Sequence, residues 1–517
     1  MKSLTIGITN LNTTWDIVLS QIGPPYLHIN NSSFNTLKKH ACIIINSNSS
    51  LIKDDIYRYI NEGGGVIIES EIAKKLFKIS TRNLFVQYVN TKYDKIFSRV
   101  TSGIINSTLI VSKKSRFLKD QYGRFLVDTL NIGKGYVIII PSGLINCIKS
   151  IENKRKNFPT CNNFFPNERV STVSKRTLRE IIYISLLEIY NKKNIPFLSL
   201  NCFPNENKTI FNFRVDTDFA EKKQIEKLYS LCKKFNINAS WFIETKSSEN
   251  WINTYKSMQN QEIGLHCYRH KVFNNFRKNN LNLQKGVSIL KKNGIENLGF
   301  ASPFGVWNTT LSDSINKLNF KYSSEFGLDY DNLPFFPIMN KNKFSNVLQI
   351  PIHPICVGSL KNSKHNSEKI KKYFENIIKN HTSNNLPIFI YDHPKQFEEK
   401  ILKWLFNKIN ELNFPSLTLQ DYAEWWKQRL KIKWKAKIKN NKIILDYENW
   451  NESVFLKVSK LNMKSIILNK NNLPDIKNFK WEIDNPILSL NNIEELNKIN
   501  RKIITNNILQ FYWKNKL

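Results

Sequence analysis

The sequence predicts an α/β protein through its first 430 residues, followed by a β-rich tail. Three observations carry this. Between residues 41 and 69 a buried apolar run, an amphipathic stretch, the triplet Gly63-Gly64-Gly65 and a second apolar run succeed one another. Strand, helix, stop, strand is the rhythm of a parallel sheet. The same rhythm returns between residues 206 and 430. After Leu430 it gives way to period-two alternation in Lys431-Ile432-Lys433-Trp434-Lys435-Ala436-Lys437-Ile438, the pattern of a strand with one buried face.

At 517 residues the chain is too long for one ordinary core, and several domains are expected. The divisions fall at 1–160, 161–205, 206–430 and 431–517. The opening residues 1–8 read as a short strand. Strands follow over 41–46 and 66–69, with a helix over 52–62 between them, and Gly133-Lys134-Gly135 leads into a strand over 136–141. A helix over about 175–190 and an irregular stretch through Pro204 make 161–205 a helical linker. In 206–430 the run Ile210-Phe211-Asn212-Phe213-Arg214-Val215 is a strand, and Ile225, Leu228, Tyr229, Cys232 and Phe235 recur at helical spacing. A strand follows over 238–243. Helices are expected over 281–293, closed by Gly294, over 368–379 and over 419–430. Runs at 442–447 and 453–458 make the tail, 431–517, a small β-sandwich.

A hydrophobic share of 41% with 12% aromatics marks a globular chain. The net charge of +35 invites a nucleic-acid reading. The lysines are dispersed, however, and no stripe of arginines interleaved with aromatics appears, so no nucleic-acid partner is expected. The charge can draw in anionic substrates, such as nucleotide- or lipid-phosphate-linked sugars. No apolar run approaches the ~20 residues of a membrane helix. The first residues lack the apolar core of a secretory signal, so a cytoplasmic location is expected. The seven cysteines form no Cys-x-x-Cys pair, which fits a reducing compartment and argues against a disulfide framework.

Asp216 and Asp218 stand two apart at the end of the 210–215 strand, and His266 and His270 follow the apolar run Glu262-Ile263-Gly264-Leu265. Aspartates alone at a strand end are commonly turn formers or helix caps. Here they share the chain with two of only eight histidines, at ligand spacing. Two imidazoles and one carboxylate can bind a divalent metal and leave a position open, and the spare carboxylate can accept a proton.

These motifs resemble those of the polysaccharide deacetylase family, the NodB-homology group of carbohydrate esterase family 4. Phe213-Arg214-Val215-Asp216-Thr217-Asp218 resembles its first motif and His266-Cys267-Tyr268-Arg269-His270 its second. Ala239-Ser240-Trp241-Phe242 resembles the strand after motif one. The resemblance spans roughly 206–430 and implies a distorted (β/α)7 barrel. It makes Asp216 the general base and Asp218, His266 and His270 the ligands of one divalent metal, zinc first, with cobalt, manganese, iron or nickel as alternatives. Cys267 is expected to point away from these ligands. The third motif reads Ala301-Ser302-Pro303-Phe304-Gly305, with alanine where the family carries the arginine that orients the base. Arg269, a loop residue, is favoured as its substitute over Arg214, which would sit charged inside the barrel. The backbone around Phe304 and Gly305 is the candidate oxyanion and substrate contact. Tyr322-Ser323-Ser324-Glu325-Phe326-Gly327 occupies the place of the fourth motif without its tryptophan. His393 is the favoured acid, with His353 as the alternative. The implied substrate is an N-acetylated, or O-acetylated, sugar or glycan precursor. Two rivals are a catalytically inactive glycan-binding protein and an amidohydrolase of a small cyclic or linear amide.

Residues 1–160 resemble the flavodoxin-like domains of the class I glutamine amidotransferases through Tyr59-Ile60-Asn61-Glu62-Gly63-Gly64-Gly65-Val66-Ile67-Ile68. The nucleophile elbow is absent, and Glu69-Ser70 stands at that strand end. The domain is therefore expected to be non-catalytic.

Overall fold

The computed structural model describes residues 2–483, except 48–51, 93, 159, 161–164, 297, 340–342 and 461–463. The N-terminal region holds five parallel strands in the spatial order Tyr26–His28, Ile6–Ile8, Cys42–Ile45, Gly65–Glu69 and Gly135–Ile140. Second, first, third, fourth, fifth is a doubly wound order. The strands are apolar at successive positions because both faces are covered. Ile44, Ile67 and Ile138 join one core with Thr13–Ile22 and Lys175–Lys192. Ile43, Val66 and Val137 join another with Lys53–Asn61 and Ser70–Phe77. The sheet then continues antiparallel through Phe125–Ile132, Phe117–Asp120, Thr81–Asn90 and Gly103–Ser112. That extension was not anticipated from the sequence.

The helix expected as a linker is a core element. Lys175–Lys192 is buried along most of its length. It packs on the N-terminal sheet on one side and on Phe197–Leu200 and Leu456–Lys460 on the other. The tail also differs from an independent sandwich. Lys433–Lys439 pairs with Lys442–Glu448 and with Lys2–Ser3. Leu456–Lys460 lies between Phe197–Leu200 and Lys464–Leu468, and Glu482–Ile483 closes that sheet. A lone hairpin is marginal in water, and these edges recruit strands from elsewhere in the chain. The single strand expected over residues 1–8 therefore divides between two sheets. The rest of the tail, 484–517, lies outside the described residues.

Glu69 ends the Gly65–Glu69 strand, and burial pushes its carboxyl up to about 7 against a hydrogen bond from Trp15. A raised carboxyl holds its proton more tightly when folded. Its stabilising contribution is complete below the ordinary value of 4.5 and is lost as pH rises through about 7. Glu69→Gln is therefore expected to gain stability over wild type between pH 5 and pH 8, by about 1–3 kcal/mol, with turnover unchanged within a few-fold. Urea unfolding at the two pH values checks this. An equal difference at both would contradict it.

The central region is a seven-stranded parallel sheet curved into a half-barrel. Its order is Leu348–Gln349, Tyr322–Ser323, Gly299–Phe300, Glu262–Cys267, Ser240–Glu244, Phe211–Asp216 and Ile388–Asp392. The two end strands do not pair. The His353 N–H donates to Phe389 O across the gap at 3.0 Å. Along Phe211–Asp216 the odd positions face the surrounding helices, with the Phe213 ring 5.1 Å from that of Phe406. The even positions, Asn212, Arg214 and Asp216, face inward, as the period of two requires. Leu419–Leu430 forms the last helix around the half-barrel. Among the described residues no helix is long and apolar enough to cross a membrane.

Candidate active site

The sequence-predicted residues lie where parallel strands end, on the carboxyl edge of the sheet, the usual place for a site in such folds. Asp216 is the last residue of its strand. The chain makes one further ladder bond, Thr217 N–H to Phe242 O at 3.1 Å. It then turns through Phe219, whose φ of 52° is left-handed, and this turn presents Asp218. His266 lies within Glu262–Cys267, and His270 sits in the bend beyond. Asn282, from the helix Phe276–Lys292, fixes that bend. Its Oδ1 accepts from Arg269 N–H at 2.8 Å, and its Nδ2 donates to Arg269 O and Lys271 O.

Asp218 Oδ1 is 3.0 Å from His266 Nε2, and Asp218 Oδ2 is 3.1 Å from His270 Nε2. His266 Nδ1 is 2.7 Å from Ala301 O. A carbonyl only accepts, so Nδ1 carries the proton and a neutral ring leaves Nε2 bare, aimed at the carboxylate. Neither Nε2, nor Asp218 Oδ1, makes a hydrogen bond of acceptable geometry, although all three are buried. His266 Nε2 and Asp218 Oδ1 are converging acceptors with no donor between them, which fits a cation. Adjacent ligand atoms around a tetrahedral zinc with bonds of about 2.0–2.1 Å are themselves about 3.3 Å apart. Burial raises the Asp218 carboxyl, but His266 and His393 outweigh it and hold the group well below the usual carboxylate range. Burial lowers the His266 imidazole, and Asp218 more than restores it. Cys267 is buried and belongs to no ligand cluster with these residues.

Arg214, not Arg269, holds Asp216. The Arg214 Nε donates to Asp216 Oδ1 at 2.8 Å and its Nη2 to Oδ2 at 2.5 Å. Its Nη1 donates to Ser324 O at 2.6 Å. The guanidinium lies over the rings of Tyr391 and Phe242, at 5.2 and 5.7 Å. The expectation that a charge inside the barrel would be too costly fails, because each of the three guanidinium nitrogens donates to an acceptor and two aromatic rings lie against the group. The nearby Glu325 does not compete. Burial pushes its carboxyl up to about 8, leaving it neutral at pH 7. Arg269 is exposed on the rim of the same cavity.

That cavity has a volume of about 850 Å³ and is lined by Asp216, Asp218, His266, His270, Phe304, Gly305 and His393, among others. His393 Nε2 is 3.4 Å from Asp218 Oδ2. Burial lowers its imidazole, but Asp218, with Cys356 and Asp216, raises it further, to about 10. The alternative acid, His353, is elsewhere. Its Nδ1 faces Asp331 at 3.0 Å and its Nε2 faces Tyr373 Oη at 3.0 Å. Both histidines precede proline at a strand exit, so only tertiary position separates them. Phe304 is left-handed, with φ 57°. Gly305 N–H is spent on Ser302 O, whereas no described group accepts from Phe304 N–H. Of the two N–H groups, that of Phe304 is the one left to donate to a bound group. Sequence reading missed Glu244, at the exit of Ser240–Glu244 and in the cavity wall. The strand-exit rule that found Asp216 also points to it. Cys356, whose Sγ is 3.9 Å from His393 Nδ1, carried no signal.

No family model matches the sequence, and no curated protein matches it. Solved structures do. Peptidoglycan deacetylase PdaC from Bacillus subtilis is 13% identical, over 44% of this chain and 95% of that one, with a TM-score of 0.31. A family 4 acetyl xylan esterase from Clostridium thermocellum, solved with cobalt, is 12% identical over 42% of this chain and 91% of that one, at a TM-score of 0.30. BA3943 of Bacillus anthracis, a CE4 family pseudoenzyme, is 13% identical over 53% of this chain and 90% of that one, at 0.31. None of these three speaks for an amidotransferase likeness of residues 1–160. Similarity at this level carries no functional argument, which rests on the side chains of the site.

Proposed function

We propose that the chain is a metal-dependent hydrolase that removes acetyl groups from an N-acetylated sugar or glycan. One observation carries the reading. A buried carboxylate, Asp216, is held in a bidentate clamp by Arg214 and lines the same cavity as the Asp218, His266 and His270 cluster. Asp218, His266 and His270 would hold the metal, which supplies Lewis-acid polarisation of the acetyl carbonyl and an acidified water. Asp216 accepts the proton of the attacking water, fixed in aim by Arg214. Phe304 N–H donates to the carbonyl oxygen as it gains charge. His393 delivers a proton to the sugar nitrogen as the C–N bond breaks, giving acetate and a free amine. The inactive-module reading drew its support from Ala301 in place of arginine, and Arg214 supplies that guanidinium from another strand.

His393→Gln is expected to lower turnover on N-acetyl glycans by about 10²-fold. It should act much less on an acetyl ester with a good leaving group, which departs without protonation. Parallel acetate release from a chitin-type oligomer and an activated ester checks this. Equal losses on both would remove His393 as the acid. Hydrolysis of a cyclic ureide with no acetate release from any glycan would favour the small-amide reading.

A further inference from the structure

The structure assigns a second cluster to His353. We propose that Asp331, His353 and His381 bind a second divalent metal ion, zinc by their donor set, in a site separate from the catalytic cavity. The inference does not rest on the catalytic reading.

The three side chains come from three segments: Asp331 from the loop after Tyr322–Ser323, His353 from the exit of Leu348–Gln349, and His381 from the last turn of Ser367–Ser383. Asp331 has a left-handed φ of 49°. His353 Nδ1 is 3.0 and 3.2 Å from the two Asp331 oxygens, and His381 Nε2 is 3.4 Å from Oδ1. One ligand atom from each residue lies within 4.8 Å of the others. These spacings bracket the ~3.3 Å between neighbouring ligands of a tetrahedral zinc.

The proton count sharpens the case. His381 Nδ1 is 2.7 Å from Pro387 O. A carbonyl accepts only, so a neutral His381 carries its proton on Nδ1 and turns a bare Nε2 to the Asp331 carboxylate. Two acceptors at 3.4 Å require a cation or an extra proton between them. The arrangement repeats that of His266, Ala301 and Asp218. His353 Nε2 meets the Tyr373 hydroxyl, which can donate or accept, so either tautomer is open to the ring, and its Nδ1, hydrogen-bonded to Asp331, becomes a ligand when a metal replaces the proton it shares there. Both histidines thus have the outer nitrogen held, as metal-ligating histidines do. His353 and His381 are buried, whereas the Asp331 side chain is 18% exposed. One side of the cluster is therefore open for a fourth ligand such as water. The competing occupant is a proton on His381, which would make the cluster an ion pair.

The test is metal counting on the full-length chain, loaded with zinc and freed of excess. Wild type is expected to retain two equivalents, and His266→Ala and His381→Ala one each. Because His381→Ala can fail to fold, His266→Ala carries an independent readout. Its remaining equivalent should be removable by a chelator, with a fall in the thermal midpoint. A wild type with one equivalent, and a folded His266→Ala with none, overturns the second site and leaves the catalytic reading standing. One equivalent that survives in His266→Ala and disappears in His381→Ala supports the second site and removes the metal from the catalytic reading.

Discussion

Asp216→Asn is expected to cut deacetylation by about 10²–10⁴-fold, the range lost with a positioned general base, while metal content stays at the wild-type level. The amide keeps the shape of the carboxylate but cannot accept a proton at neutral pH. Arg214 already occupies both Asp216 oxygens, so the residue acts from beside the Asp218 cluster and not as a member of it. Acetate release and metal counting on the same preparation check the two halves separately. Loss of metal in this variant would make Asp216 a ligand and reverse the assignment.

Arg214→Met is expected to be the most damaging single change to stability in the central region. Arg214 is fully buried and Asp216 is 3% exposed, so removing the guanidinium strands a buried carboxylate. Breaking such a pair from one side typically costs about 3–5 kcal/mol. Ser324 O and the faces of Tyr391 and Phe242 also lose their partner. Arg214→Lys keeps the charge but loses the planar fork, and should fall between wild type and methionine in both stability and turnover. Urea unfolding with kinetics on the folded fraction checks this. A methionine variant within about 0.5 kcal/mol of wild type, the range of a neutral surface change, would contradict the clamp.

The site was legible because its parts are local. Asp216 and Asp218 share one strand exit, His266 and His270 another, and apolar runs mark both strands in the sequence. Leu419–Leu430 was legible to the residue, since its apolar period is complete and Thr418 caps it. The choice between Arg214 and Arg269 was not legible. Its answer depends on Ser324, 110 residues away, and on two rings from other strands, and no local pattern carries that. The same holds for His353 and His393, whose sequence settings match while their surroundings differ. The pairing of Lys2–Ser3 with Lys433–Lys439 joins opposite ends of the chain, and strand periodicity alone does not name a partner.

The central claim is that the Asp216 and Asp218 cavity removes acetyl groups with the help of a metal. The most direct measurement is acetate release from an N-acetylated oligosaccharide by the purified chain, before and after chelation and after zinc is restored. The account predicts acetate and free amine in equal amounts, loss on chelation and recovery with zinc. A zinc-loaded, folded chain that binds the oligosaccharide and releases no acetate from N- or O-acetyl groups would contradict it.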